Sequence, residues 1–126
     1  MTPTQMPLTA QVSQITAAIS ANRYRYSQET RLHDAIEQVL ADSEIAAVRE
    51  ARLTSAERID FLAGRVGIEV KIAGRAPDVL RQLRRYAASP DIDGLVLVTT
   101  RARHRGMPRE IGGKPVRVVW LSGVTG

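Results

Sequence analysis

The chain predicts an α/β fold with a mixed sheet flanked by helices, and three observations lead there. The path from IEVKI (residues 68–72) through PDVLRQLRRYAAS (77–89) to LVLVTT (95–100) has the length of a strand–helix–strand crossover, so its two strands are expected to be parallel. RIDFLAGRVGIEVKI (58–72) reads as two short strands around a turn near Gly64 and Arg65, which must be antiparallel. LVLVTT is a continuous apolar run, the pattern of a strand buried on both faces.

Taken in order, residues 1–7 read as a disordered tail. Leu8, Val12, Ile15 and Ile19 then recur at spacings of four, three and four, which is a helical stripe. The stripe leaves open whether it packs on the core or on a second subunit. A second helix starts at Ser27 as N-cap, carries Glu29 in its first turn where acid favours the dipole, and ends near Asp42. Leu32, Ala35, Ile36, Val39 and Leu40 form its apolar face. IAAVREARL (45–53) suggests a strand, followed by the hairpin. Gly74 and Pro77 break the pattern and open the third helix. DIDG is a turn, a polar basic loop follows LVLVTT, and VRVVWL (116–121) is the last strand. The order is α-βββ-α-β, with a sheet of four to five strands and an extra N-terminal helix. Residues 1–22 form a tail and amphipathic helix, and 23–126 the α/β domain.

Composition narrows the function. The 126 residues fit one domain and contain no cysteine, which excludes disulfides and cysteine-ligated zinc. No apolar run approaches the ~20 residues that span a bilayer, and the start lacks a signal-peptide pattern. No membrane association and a cytoplasmic location are therefore expected. Net charge is +5 with a pI near 10.4, which favours acidic partners, nucleic acid first. The charge is uneven: Arg101, Arg103, Arg105, Arg109, Lys114 and Arg117 face a single acid, Glu110, between residues 101 and 119. No Gly-rich loop opens a helix after a first strand, and no Gly-x-Ser-x-Gly elbow is present, so dinucleotide enzymes and nucleophilic hydrolases are set aside.

The hairpin spends strand positions on charge. Glu69 and Lys71 are two residues apart and project to one face; pairing of the two strands can bring Asp60 beside Glu69. Two neighbouring carboxylates repel and are costly to desolvate, and a hard divalent cation removes that cost. The lysine can then orient a water or stabilise charge developing on phosphate. Of 18 basic residues only Lys71 and Lys114 are lysine, so Lys71 stands out in a chain that otherwise uses arginine, which cannot release its proton.

RID, eight residues, then EVK resembles the D…(D/E)-x-K signature of the PD-(D/E)XK nuclease superfamily, the restriction-endonuclease-like fold. The resemblance runs from about Ser27 to Leu121 and covers the element order as well as the motif. Ile59 stands where the name-giving proline would be. The resemblance implies a metal-dependent DNA nuclease using Mg²⁺ or Mn²⁺, with Asp60 and Glu69 as metal ligands and Lys71 as catalytic lysine. It also implies an acid in the preceding helix. Glu29 and Glu37 are both candidates and Glu29 is favoured, as in the small Holliday-junction resolvases this region looks like; an N-terminal dipole role stands beside it. QLRRY is similar to the Gln-x-x-x-Tyr of recombination exonuclease domains, which makes Gln82 a holder of water or phosphate and Tyr86 its support. Arg81, Arg84 and Arg85 on that helix are candidate DNA contacts or a solvated face. Arg101, Arg103, Arg105 and Arg109 follow a buried strand, where α/β sheets place ligand loops, and are phosphate-contact candidates. His104 is expected to be exposed and idle, and His33 near Glu29 is not taken as a ligand. The expected partner is double-stranded or branched DNA, with a homodimer as a possible assembly. The alternative is a binding or accessory subunit that keeps the fold and cleaves weakly.

Overall fold

The computed structural model describes residues 6–25 and 29–122. The expected Ser27 cap and most of the expected N-terminal tail lie outside them. The elements are α1 (Leu8–Ser20), α2 (Glu29–Asp42), β1 (Val48–Arg52), β2 (Arg58–Ala63), β3 (Val66–Lys71), α3 (Ala76–Ala87), β4 (Gly94–Thr99), β5 (Glu110–Ile111) and β6 (Lys114–Trp120). A 3-10 turn at Ala102–His104 lies in the basic loop.

All six strands join one sheet in the order β1-β2-β3-β4-β6-β5. β1–β2–β3 is an antiparallel meander, and β3, β4 and β6 run parallel. The crossover through α3 therefore has the expected sense. β4 is buried at every residue, as its unbroken apolar run requires.

The helices cover opposite faces. On one, Val12, Ile15 and Ile19 of α1 and Leu32, Ile36 and Leu40 of α2 pack on Phe61, Ile68, Val70, Val96, Val98 and Val119. On the other, Val79, Leu83 and Tyr86 of α3 pack on Ile59, Leu95, Leu97 and Val116. The apolar stripe of α1 thus belongs to the core of the α/β fold, against α2, β4 and β6.

Two expectations are corrected. The sheet has six strands, not four to five. Gly112 (φ 59°) and Gly113 (φ 77°) supply the two positive-φ positions of a tight hairpin, so residues expected to be loop pair as β5 with β6. The first strand is shorter than IAAVREARL. The chain leaves α2 through Glu44 at φ 59°, with the Ile45 N–H donating to Leu40 O at 2.9 Å, a helix-terminating bond that places residues 43–47 outside the sheet. Among the described residues, no helix is long and apolar enough to cross a membrane.

Ile19 is fully buried. Ile19→Ala should lower unfolding free energy by about 2–5 kcal/mol, read from urea denaturation. A loss within about 0.5 kcal/mol would mark α1 as a detachable arm.

Candidate active site at the β2–β3 strand end

The site begins with a fault in the sheet. Along a strand, residues i and i+2 share a face. Here Phe61 packs with α1 and α2, whereas Ile59 packs with α3. On β1, Arg49 reaches Asp34 and Glu37 of α2 at 2.5 and 3.2 Å, whereas Ala51 joins the α3 core. Arg49 pairs with Phe61 and Ala51 with Ile59, so both strands change face together between these pairs. Glu50, at φ 51°, and Asp60 occupy the crossing.

The β2–β3 ladder also ends there. Its last regular pair is Phe61 with Ile68. Beyond it the Asp60 N–H donates to Glu69 Oε1 at 3.2 Å, and the Val70 N–H donates to Asp60 Oδ2 at 2.8 Å. Each strand's amide is satisfied by the other strand's carboxylate, and both acids are held at the opening. Lys71 Nζ lies 3.3 Å from Glu69 Oε2. Glu69 and Lys71 share the α3 side of β3 with Gly67, where a Cβ would meet Ile59, Ile92 and Leu95. The three residues of the sequence pattern therefore meet at one strand end.

Glu69 is 4% exposed. Burial pushes its carboxyl up to about 7; the Asp60 charge adds to the rise, while Lys71 and the Asp60 amide oppose it. Tyr86 is pushed well above its ordinary value by burial first, then by the negative charge of Glu69 and Asp60. Its hydroxyl donates to Arg58 O at 3.0 Å and accepts from Gln82 Nε2 at 2.9 Å. Tyr86 thus reaches the site from α3 with Gln82 bonded to its hydroxyl, and it ties α3 to β2 two residues before Asp60.

His33 of α2 lies near Glu29, as its position in the sequence implies. Its Nε2 is buried without a hydrogen-bond partner, 3.7 Å from Asp60 Oδ2 and 3.6 Å from Glu29 Oε1. Its ring stands 6.1 Å from that of Phe61. Its place one turn from Glu29 is legible in the sequence; its burial and its approach to Asp60 come from packing. Glu29 approaches Asp60 through His33 and is half exposed. Glu37, the other helical acid considered, holds Arg49 instead. Among the described residues, no group of three or more His, Asp and Glu side chains stands ready to hold a metal ion.

The basic residues divide. Arg81 pairs with Asp78, and Arg85 with Glu57 at 3.1 Å; Arg84 is exposed. In the loop, Arg101 Nε donates to Ile72 O at 2.7 Å and Arg103 Nε to Gly74 O at 2.9 Å, which fastens the loop to the chain just after Lys71. Arg105 lies over Trp120, and Arg109 is exposed, its carbonyl accepting from Arg117. His104 is not exposed as expected but fully buried. Its Nε2–H donates to Gly74 O at 2.8 Å, and in the neutral ring Nδ1 accepts the Thr99 hydroxyl at 2.7 Å. It pins the basic loop to β4 and to the β3–α3 turn. Its neighbours Arg103 and Arg105 hide this role in the sequence.

The elevated Glu69 value sets a pH dependence. The folded value of about 7 stands above the ordinary 4.5, so the fold retains a proton that the unfolded chain gives up. This contribution to stability is full below the unfolded value and is lost as pH rises through the folded one. Without metal, urea midpoints should fall between about pH 5 and pH 8, and Glu69→Gln should flatten the profile. An unaltered slope in Glu69→Gln would assign the loss to another group.

Comparison with known proteins returned no matching family model, curated protein or solved structure.

Proposed function

We propose that this chain is a metal-dependent nuclease that hydrolyses phosphodiester bonds in DNA, with the restriction-endonuclease-like architecture that its D…E-x-K pattern resembles. One arrangement carries the reading: a buried carboxylate, Glu69, accepts from the main chain of a second acid, Asp60, at 3.2 Å and lies 3.3 Å from a lysine. Neutralising two repelling acids in a desolvated place is what a divalent cation does.

Two protein carboxylates are enough for such an ion. Asp60 and Glu69 offer carboxylate oxygens, and His33 Nε2 is buried without a hydrogen bond, 3.7 Å from Asp60 Oδ2. Mg²⁺ is commonly bound by one or two carboxylates, with water and substrate phosphate completing its shell. An imidazole in the set makes Mn²⁺ a suitable ion as well. Asp60 and Glu69 would hold it, and His33 stands 3.7 Å from the Asp60 carboxylate. Bound there, the ion would supply Lewis-acid polarisation of the phosphate and a more acidic water.

The chain's own groups do the rest. Lys71 orients the attacking water and offsets charge developing on the phosphate. Gln82 has a second amide N–H free of Tyr86 and can hold water or a phosphate oxygen. Tyr86 is a positioning residue that fixes Gln82 and β2. Arg101 and Arg103, anchored through Nε, keep their terminal guanidinium nitrogens for phosphates; with Arg105 and Arg109 they position a strand without reading its sequence. A second reading, a binding or accessory subunit that cleaves weakly, draws on the partners the acids already have inside the protein.

A cleavage assay on duplex, single-stranded, four-way-junction and RNA substrates, with Mg²⁺, Mn²⁺ or EDTA, tests the proposal. Asp60→Asn and Lys71→Met should each slow cleavage at least about 10²-fold with the thermal midpoint retained. Full activity in EDTA overturns the metal-dependent reading, and absence of cleavage with binding retained favours the accessory one. Arg103→Ala should weaken DNA binding for all sequences and lower the log–log salt slope by about one. An unchanged slope removes Arg103 from the phosphate contacts.

A further inference from the structure

The strands β3, β4 and β6 are parallel and finish in step. Lys71 pairs with Thr99, and Thr99 with Trp120. Trp120 therefore stands two strand spacings from Lys71, about 10 Å, at the same end of the sheet. It is 37% exposed, unusual for a large aromatic side chain in a strand with a buried core face. Arg105 from the basic loop lies over one face of its indole, 4.3 Å from guanidinium carbon to ring centroid.

The residue also lines a cleft of about 580 Å³ between the end of α1 and the last residues of β6. Arg23, Tyr24 and Arg25 form one wall; Trp120, Leu121 and Ser122 belong to the other. No acid lines the cleft, and among the described residues neither Arg23 nor Arg25 is ion-paired. Tyr24 is locked in place, with its hydroxyl donating to Ile19 O at 2.8 Å. The cleft thus offers an aromatic side chain in its lining and two uncompensated positive charges, with the Arg105 guanidinium against that same indole beside it.

We propose that this cleft binds single-stranded DNA, with an unpaired base stacked on Trp120 and its phosphates against Arg23, Arg25 and Arg105. The chemistry selects that ligand. An anion alone has no need of the indole, and an apolar ligand has no need of three arginines. A paired base in a duplex is already stacked and offers no free face, whereas an unpaired one stacks on aromatic side chains irrespective of its identity. The ~10 Å to Lys71 is short enough for one strand to touch the cleft and the strand end together. The cleft would therefore hold the unpaired strand of a frayed end, flap or junction while the neighbouring backbone lies at the strand end of Asp60 and Glu69. The inference rests on the nuclease reading for its biological sense, but its binding test does not require cleavage.

Trp120 is the chain's single tryptophan, so its fluorescence reports the cleft directly. The full chain carrying Lys71→Met is titrated with a thymidine 12-mer and with a blunt duplex of equal length. Saturable quenching by the single strand, at least tenfold tighter than by the duplex, is expected. Arg25→Glu should abolish it. Because Trp120→Leu removes the probe, its binding is read by anisotropy of a dye-labelled 12-mer and should weaken on the order of tenfold, with Trp120→Phe restoring most of it. Absence of quenching, equal quenching by the duplex, or unchanged affinity in Trp120→Leu and Arg25→Glu would overturn the proposal. Cleavage by the unmodified chain without quenching sinks the cleft and spares the nuclease; quenching without cleavage does the reverse.

Discussion

The structure depends on one exchange of partners. At the end of the β2–β3 ladder, two main-chain amides leave their strand acceptors and bind carboxylates, Asp60 N–H to Glu69 and Val70 N–H to Asp60. A buried amide must be satisfied, and here the satisfying groups are charged. The opening therefore cannot close without removing an acid. It also explains why β1 and β2 turn over together: a regular continuation would put Asp60 across from Glu69 in an ordinary pair and return Phe61 and Ile59 to one face. The apolar residues on either side of the crossing fill both cores, so the fault is held from above and below.

Around this point the fold concentrates its polar groups at one sheet end. The parallel strands deliver Lys71, Thr99 and Trp120 to a common row. The basic loop that follows β4 is tied back across it by His104, Arg101 and Arg103, through carbonyls that the β3–α3 turn leaves free. Tyr86 performs the corresponding task from α3. α/β sheets bind ligands at the carboxyl ends of their parallel strands because chain reversals leave main-chain groups and side chains there without sheet partners.

The choice between lysine and arginine follows geometry. Arg49, Arg65 and Arg85 each reach a carboxylate through their planar forks. Lys114 donates to Ala87 O and Ser89 O at 2.7 and 3.1 Å, where a compact ammonium suits the end of α3. Lys71 is the other lysine, and it is the cation beside Glu69, the one buried acid among the described residues. Among the described residues, both lysines stand where a small, point-like charge is needed.

The sequence alone determined the class of fold, the helices, the antiparallel hairpin, the parallel crossover and the meeting of Asp60, Glu69 and Lys71. Each is written in local periodicity, chain length or strand alternation, which act over a few residues. It could not show that α1 completes the core, since an apolar stripe is the same whether it meets its own sheet or another chain. β5 is not legible in it, because two strand residues before paired glycines in a polar stretch look the same as loop. The surroundings of His33 and His104 are not legible in it, because a histidine's role depends on what packs around its ring. His33 faces Asp60 from 27 residues away in the chain, and His104 reaches Gly74 from 30. Burial, face reversal at Asp60 and the approach of α2 to the strand end are long-range packing outcomes, and tertiary structure alone decided them.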